Sequence, residues 1–208
     1  MTGKTVYLAG PEVFLPDGDA LGARKEALAI AAGFTPLSPT DRHVSSDAAA
    51  ANLSLSPTGF SRMVYRGNVD LMRQADFGIF DLTPFRGPSA DVGTVFELGL
   101  MTGLGKPVFG YTNIPGDYID RVAPRQNSGK TLPITQPPLV FWIDADGCII
   151  ENFGNADNLM IDSALAAHGD GLVRAAPPLP QRWSSLDGFA DCLKQAAAWF
   201  ASAAAATG

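Results

Sequence analysis

The stretch DFGIFDLTPFRGPSADVGTVFELGLMTGLGKPVFGYT, Asp76 to Thr112, decides the fold. DFGIFDL is a short apolar run, and a loop carrying Pro84, Gly87 and Pro88 follows it. From Val92 to Leu104 the apolar residues Val92, Phe96, Leu100 and Leu104 recur at i+4, which predicts a helix, and KPVFGYT is again short and apolar. Strand, loop, helix and strand in that order make a parallel pair joined by a helical crossover. Within the helix stands Glu97. Its neighbours three and four positions away are Gly93, Thr94, Leu100 and Met101, none of them basic. A carboxylate near the start of a helix that follows a strand lies where open α/β sheets bind their ligands. The ordinary alternative is a partly exposed glutamate paired with a distant arginine.

Outward from this unit the same alternation continues. TVYLAG (Thr5 to Gly10) reads as a buried strand, ALGARKEALAIAAG as a helix closed by Gly33, and FTPL as a brief strand. SRMVYRGNVDLMRQA is helical. The order β-α-β-α-β-α-β with short apolar strands predicts a parallel sheet covered by helices on both faces. The strand of Tyr7, the loop after Asp81 and the loop at Asn113 then share one edge, where ligands bind. Asp41 to Gly59, rich in Ser, Ala, Asp and Pro, reads as an excursion that could cover that site, and Ile114 to Gln136 as a surface insertion. PLVFWIDADGCIIENFG reads as a β-hairpin about DADG. Asp144, Asp146 and Glu151 lack the spacing of a calcium loop and are assigned to an ordinary turn. A final helix, SLDGFADCLKQAAAWFASAAA, can turn Leu186, Phe189, Leu193 and Trp199 to the core.

The chain has 208 residues, 46% of them hydrophobic and 17% charged, which suits one domain over residues 1–208 with one sizeable core. A net charge of -6 without any Lys/Arg run excludes a phosphate-backbone footprint, so no nucleic-acid polymer is expected as partner. Cys148 and Cys192 stand in no Cys/His pattern, which fits a reducing compartment and offers no thiolate metal site. There is no apolar stretch of roughly eighteen residues, so the expectation is a cytoplasmic protein with no membrane partner. The pieces GPSADVG and GLGKP match neither a P-loop nor a dinucleotide fingerprint.

Two carboxylates converging in a pocket can divide glycosidic chemistry, one attacking the anomeric carbon and the other handling the leaving group's proton. Asp91 and Glu97 are separated by about 1.7 helical turns, so they do not share a helix face and Asp91 must act from the loop. Asp91 also fits a plain N-cap. Asp70, in GNVDLM, is either a group at the rim of the site or solvated surface. Tyr7 alone would pass as a core aromatic.

The segments VYLAGPEVF, GNVDLMRQADFGIFDLTPFRGPSADVGTVFELGLMTGLGKPV and NADNLMI together resemble the nucleoside 2-deoxyribosyltransferase family. The resemblance covers Tyr7 to Val108 plus the late motif and is most specific at DVGTVFELG. It implies a five-stranded parallel sheet in a Rossmann-like or flavodoxin-like sandwich, with the hairpin as an insertion. It makes Glu97 the nucleophile of a covalent deoxyribosyl-enzyme and Tyr7 the residue that orients it. Asp91 and, by the N-x-D-L match, Asp70 would contact the nucleobase and manage its proton. Asn158 and Met160 would complete the sugar site from an adjacent subunit, so a homo-oligomer with shared sites is implied. The substrates would be deoxynucleosides and free nucleobases, with no metal or organic cofactor.

Two rivals stand beside this expectation. A nucleoside or nucleoside-monophosphate N-glycosidase would use water in place of the second base. Its phosphate-accepting forms suit Ser and Arg after the first strand, where this chain carries Asp17 and Asp19. A non-catalytic nucleoside-binding module would have no use for the complete set Tyr7, Asp70, Asp91 and Glu97.

Overall fold

The computed structural model describes residues 3–39, 56–122, 125–132 and 139–206. Strand β1 (Thr5–Ala9) runs into a 3-10 turn (Pro11–Phe14) and helix α1 (Gly18–Ala31), which leads to β2 (Thr35–Leu37). Then come α2 (Pro57–Gln74), β3 (Phe77–Asp81), α3 (Val92–Gly103) and β4 (Val108–Thr112). The one-turn helix α4 (Tyr118–Arg121) precedes β5 (Arg125–Leu132), β6 (Leu139–Asp144) and β7 (Ile149–Ile150). Helix α5 (Leu159–His168), β8 (Leu172–Arg174) and α6 (Asp187–Ala206) complete the order.

Five strands form a wholly parallel sheet in the order β2-β1-β3-β4-β8. The chain leaves β1 for β2 on one side and returns as β3 on the other. The strand order therefore reverses between β1 and β3, and a crevice opens beyond their carboxyl ends. Alternate side chains of each strand serve opposite faces, as the strand's period of two requires. Val6, Leu8, Phe77, Ile79, Phe109 and Tyr111 pack with residues of α1 and α6. Tyr7, Ala9, Phe80, Leu82 and Val108 pack with Val69 and Met72 of α2, Leu98 and Met101 of α3, and Ile161 and Leu165 of α5.

The sheet class and the alternation agree with expectation, and the differences are local. The fifth strand, β8, and the helix before it are absent from the residue pattern, because three residues at a sheet edge are too short to show a period. Helix α2 starts earlier than expected: Ser56 caps it, its hydroxyl accepting from the Gly59 amide at 3.1 Å, and Pro57 fits the first turn. The last residues of the expected 41–59 excursion thus belong to a helix, and 40–55 lie outside the described residues. The expected hairpin is present as β6 and β7, but β5, from the supposed surface insertion, joins it in a second antiparallel sheet ordered β5-β6-β7. Asp144 makes the turn, its Oδ1 accepting from the amides of Asp146 and Cys148.

Helix α3 buries only the Leu100 edge of its i+4 stripe. Thr94, Leu98 and Met101 are buried, whereas Val92 is 84% and Phe96 53% exposed. Leu186, just before α6, and Phe189 and Leu193 on it are buried as expected, while Trp199 stays at the margin, its ring edge-on to Phe109.

Candidate active site

The crevice at the order reversal is walled by the turn after β1, the loop after β3 and the first turns of α3. A cavity of about 130 Å³ lies there, lined by Gly10, Val13, Phe14, Pro39, Asn68, Asp91, Gly93, Thr94 and Glu97. Tyr7 is fully buried in β1, packed as a core aromatic behind the cavity, with its hydroxyl turned to Glu97. Its hydroxyl donates to Glu97 Oε1 at 2.6 Å, at the short end of the O–H···O range. Asn68 Nδ2 donates to the same oxygen at 3.4 Å from α2. Three elements therefore meet on one carboxylate.

Asp91 is also two things at once. Its Oδ2 accepts from the Thr94 amide at 3.0 Å and the Thr94 hydroxyl at 3.2 Å, capping α3. Both bonds fall on one oxygen, and the residue lines the cavity with Glu97. The N-cap fixes the carboxylate at the helix start, and among the described residues no hydrogen bond falls on Oδ1.

The remaining expected residues sit elsewhere. Asp70 is on the solvent face of α2, 65% exposed and 3.5 Å from Arg73. It does not line the cavity; Asn68, two positions earlier, does. The two positions are about 200° apart around a helix, so a shift of two residues along it exchanges the site face for the solvent face. Asn158 caps α5, its Oδ1 accepting from the Met160 amide at 3.0 Å while its Nδ2 donates to Glu151 at 2.7 Å. Met160 is 71% exposed and lines a different, apolar cleft of about 330 Å³ between α3 and α5, with Val95, Leu98, Gly99 and Thr102. Within one chain, neither residue reaches the Glu97 cavity.

Sequence reasoning missed two features beside the site. The first is a buried ionic cluster behind Gly10. Lys25 Nζ lies 2.6 Å from Glu12 Oε1 and 3.8 Å from Asp81 Oδ2, and the Tyr111 hydroxyl donates to Asp81 at 2.9 Å. Burial raises the Asp81 carboxyl above its ordinary range, with Lys25 opposing and Glu12 adding to the rise. Burial and then the charge of Asp81 push the Tyr111 hydroxyl well up too. A Cβ on Gly10 would fall 2.2 Å from Glu12 Oε2 and 2.7 Å from the Asp81 Cβ, so only glycine fits between cluster and cavity. A Pro-Glu after a strand and a Lys on the next helix carry no signal that they will meet.

The second feature is aromatic. Phe14, which lines the cavity, stacks on Phe85 at 5.4 Å, and Trp183 meets Phe85 edge-on at 5.8 Å. The Arg86 guanidinium lies 5.0 Å from the Phe14 ring centre and 4.7 Å from that of Phe85. Arg86 holds a left-handed φ of 57° to reach this position.

The sequence model described as nucleoside 2-deoxyribosyltransferase matches residues 6–160. The chain belongs to this family. The matched segment spans Tyr7, Asn68, Asp91, Glu97, Asn158 and Met160, so the deoxyribosyltransferase family pattern encloses every element of the site. Among solved structures, a 2-desoxiribosyltransferase from Leishmania mexicana is 31% identical, with a TM-score of 0.55 over 76% of this chain and 85% of that one. A 2-deoxyribosyltransferase from Bacillus psychrosaccharolyticus is 26% identical, with a TM-score of 0.36 over 51% of this chain and 71% of that one. An uncharacterised protein of Schizosaccharomyces pombe is 33% identical over 171 residues, 79% of this chain and 78% of its own length. Among the described residues of this family member, no helix is long and apolar enough to cross a membrane.

Proposed function

We propose that the protein transfers the 2-deoxyribosyl group between nucleobases of 2′-deoxynucleosides through a covalent ester on Glu97. The observation that carries this is the Tyr7 hydroxyl at 2.6 Å from Glu97 Oε1, in a cavity that Asp91 also lines. Glu97 attacks C1′ as the C1′–N bond breaks, and its negative charge stabilises the positive charge that builds on the sugar ring. The departing base takes a proton from Asp91. An incoming base then returns a proton to Asp91 and attacks C1′, releasing Glu97 as carboxylate. Two inversions leave the configuration retained. Asn68, rather than Asp70, is the α2 residue placed to contact the substrate. No metal or organic cofactor enters any of these steps.

Association into at least a dimer, with Asn158 and Met160 completing a neighbour's sugar site, belongs to the same proposal. Its support is the apolar surface left uncovered on α3 and α5: Val92, Phe96 and Met160, beside the cleft between the two helices. Mixing Glu97→Ala with Asn158→Ala chains should then restore activity that neither shows alone.

The test of function is product analysis after incubation with a 2′-deoxynucleoside and each free base in turn. A new deoxynucleoside establishes transfer. Release of free base alone establishes the hydrolase instead, and tight binding without turnover establishes a binding module. Ribonucleosides should be poor substrates, because a 2′-hydroxyl withdraws electron density from the developing cation.

A further inference from the structure

We infer that Asp157, with Arg121, is a positioning residue that holds Asp91 in register for proton transfer to the base; the inference rests on the transferase reading above. Asp157 is 1% exposed and stands at the turn before α5, far in sequence from the site. Its Oδ1 accepts from the Ser89 hydroxyl and from the Asn158 amide at 2.8 Å, and its Oδ2 from the Ala90 amide at 2.8 Å. Ser89 and Ala90 are the two residues immediately before Asp91. Arg121 grips the same loop from α4, its Nε donating to the Pro88 carbonyl at 2.7 Å. Arg121 also donates to the carbonyls of Gly116 and Ala156 and lies 3.9 Å from Asp157. Asp162 accepts from the amides of Ala156 and Asp157, both at 3.0 Å, which fixes the clamp itself.

The consequence is geometric. Asp91 is held from its C-terminal side by the cap on Thr94 and from its N-terminal side by Asp157 through Ala90 and Ser89. Within the loop, the Phe85 amide also bonds the Ser89 carbonyl at 3.0 Å, so the backbone before Asp91 is fixed from both ends. Buried, charge-assisted bonds to backbone amides are the strong kind. A carboxylate is needed because three donors must be accepted at once, whereas an amide side chain offers one acceptor oxygen. Among the described residues no hydrogen bond joins Asp157, Arg121 or Asp162 to the Glu97 carboxylate, whose described donors are Tyr7 and Asn68, so loss of the clamp should disturb the proton step and spare the nucleophile.

The experiment compares two leaving groups. An ordinary purine deoxynucleoside needs its base protonated, whereas an N7-methylated purine deoxynucleoside departs as a neutral base without a proton from the enzyme. Asp157→Asn should lower kcat on the ordinary substrate by on the order of 10²-fold, the scale of a misplaced general acid, while any loosening of Asn158 should weaken both substrates alike. On the methylated substrate the loss should stay within about threefold, and Asp91→Asn should show the same contrast. Adding Asp157→Asn to Asp91→Asn should cost little more, since both act on one proton. Ser89→Ala, which deletes one donor from the loop side, should show the same contrast at smaller size and carries the test if Asp157→Asn does not fold. Equal losses on both substrates, or additive losses in the double variant, overturn the positioning role. If the parent chain turns over neither substrate, the transferase reading itself fails, and the inference with it.

Discussion

Replacing Tyr7 by Phe isolates the interaction on which the site depends. The ring is fully buried against Val69, Met72 and Leu98, and phenylalanine keeps that packing, so the change removes a hydroxyl and its 2.6 Å bond to Glu97 and little else. A hydrogen bond to a charged group is worth ~1.5–3 kcal/mol, which corresponds to roughly a 10- to 150-fold fall in kcat/KM if it is used in the transition state. Two effects compete for the sign. The bond stabilises carboxylate charge, so losing it makes Glu97 a stronger nucleophile electrostatically; it also orients the carboxylate, and misorientation by about 1 Å can cost ~10²-fold. Orientation wins on these magnitudes, and attack slows. In the second half-reaction both effects have one sign, because Glu97 leaves as an anion that Tyr7 no longer stabilises. Tyr7→Phe should therefore slow resolution of the ester as well, and the fraction of enzyme held covalently during turnover should rise. Rapid-quench kinetics with intact-protein mass spectrometry measures both. Stability should fall by no more than the same ~1.5–3 kcal/mol, or about 3–12 °C in Tm. Rates within twofold of the parent in a folded variant would refute the role assigned to this bond.

Asn68→Ala should reduce kcat/KM by about tenfold or more, as expected for loss of a polar contact at the reacting carboxylate, while Asp70→Ala should leave steady-state kinetics unchanged; the reverse ranking would return the site to Asp70. Lys25→Met strands the carboxylates of Glu12 and Asp81 in the interior and should cost about 3–5 kcal/mol by urea unfolding, and a loss under ~1 kcal/mol would show that the cluster is not ionised as drawn. Asp76 ties β1 to β3, accepting from Lys4 at 2.7 Å and from the Thr5 amide and hydroxyl at 2.8 and 2.9 Å. Burial alone would raise its carboxyl, but these bonds hold it below the ordinary value of 3.8. Its contribution is therefore present above that value and lost as the pH falls through the lower folded one. The gap in Tm between the parent and Asp76→Asn should close on acidification, and a gap that widened would contradict the assignment.

The alternation of short apolar strands with helical segments made the parallel sheet legible, because buried parallel strands read as continuous apolar runs. Glu97, Asp91 and Tyr7 were legible because a strand end, a loop and a helix start must converge at the sheet's carboxyl edge. Orientation within elements was not. The stripe of Val92, Phe96, Leu100 and Leu104 marked a helix but not its inner face: only Leu100 of the four packs against the core, beside Thr94, Leu98 and Met101. Asp70 was preferred to Asn68 because the N-x-D-L resemblance assigned the role to the aspartate of that motif, and only the phase of α2 separates the two positions. Lys25, Glu12 and Asp157 escaped notice because their meanings are made by contacts distant in sequence, and isolated charged residues otherwise read as surface.

The central claim is that Glu97 becomes covalently bonded to the sugar. Its most direct measurement is the mass of the protein quenched in acid during turnover of a 2′-deoxynucleoside, followed by peptide mapping. The account predicts a species heavier by one deoxyribosyl group, carried on the peptide containing Glu97 and absent from Glu97→Ala. Sustained turnover by Glu97→Ala, or an adduct mapped to another residue, would contradict it.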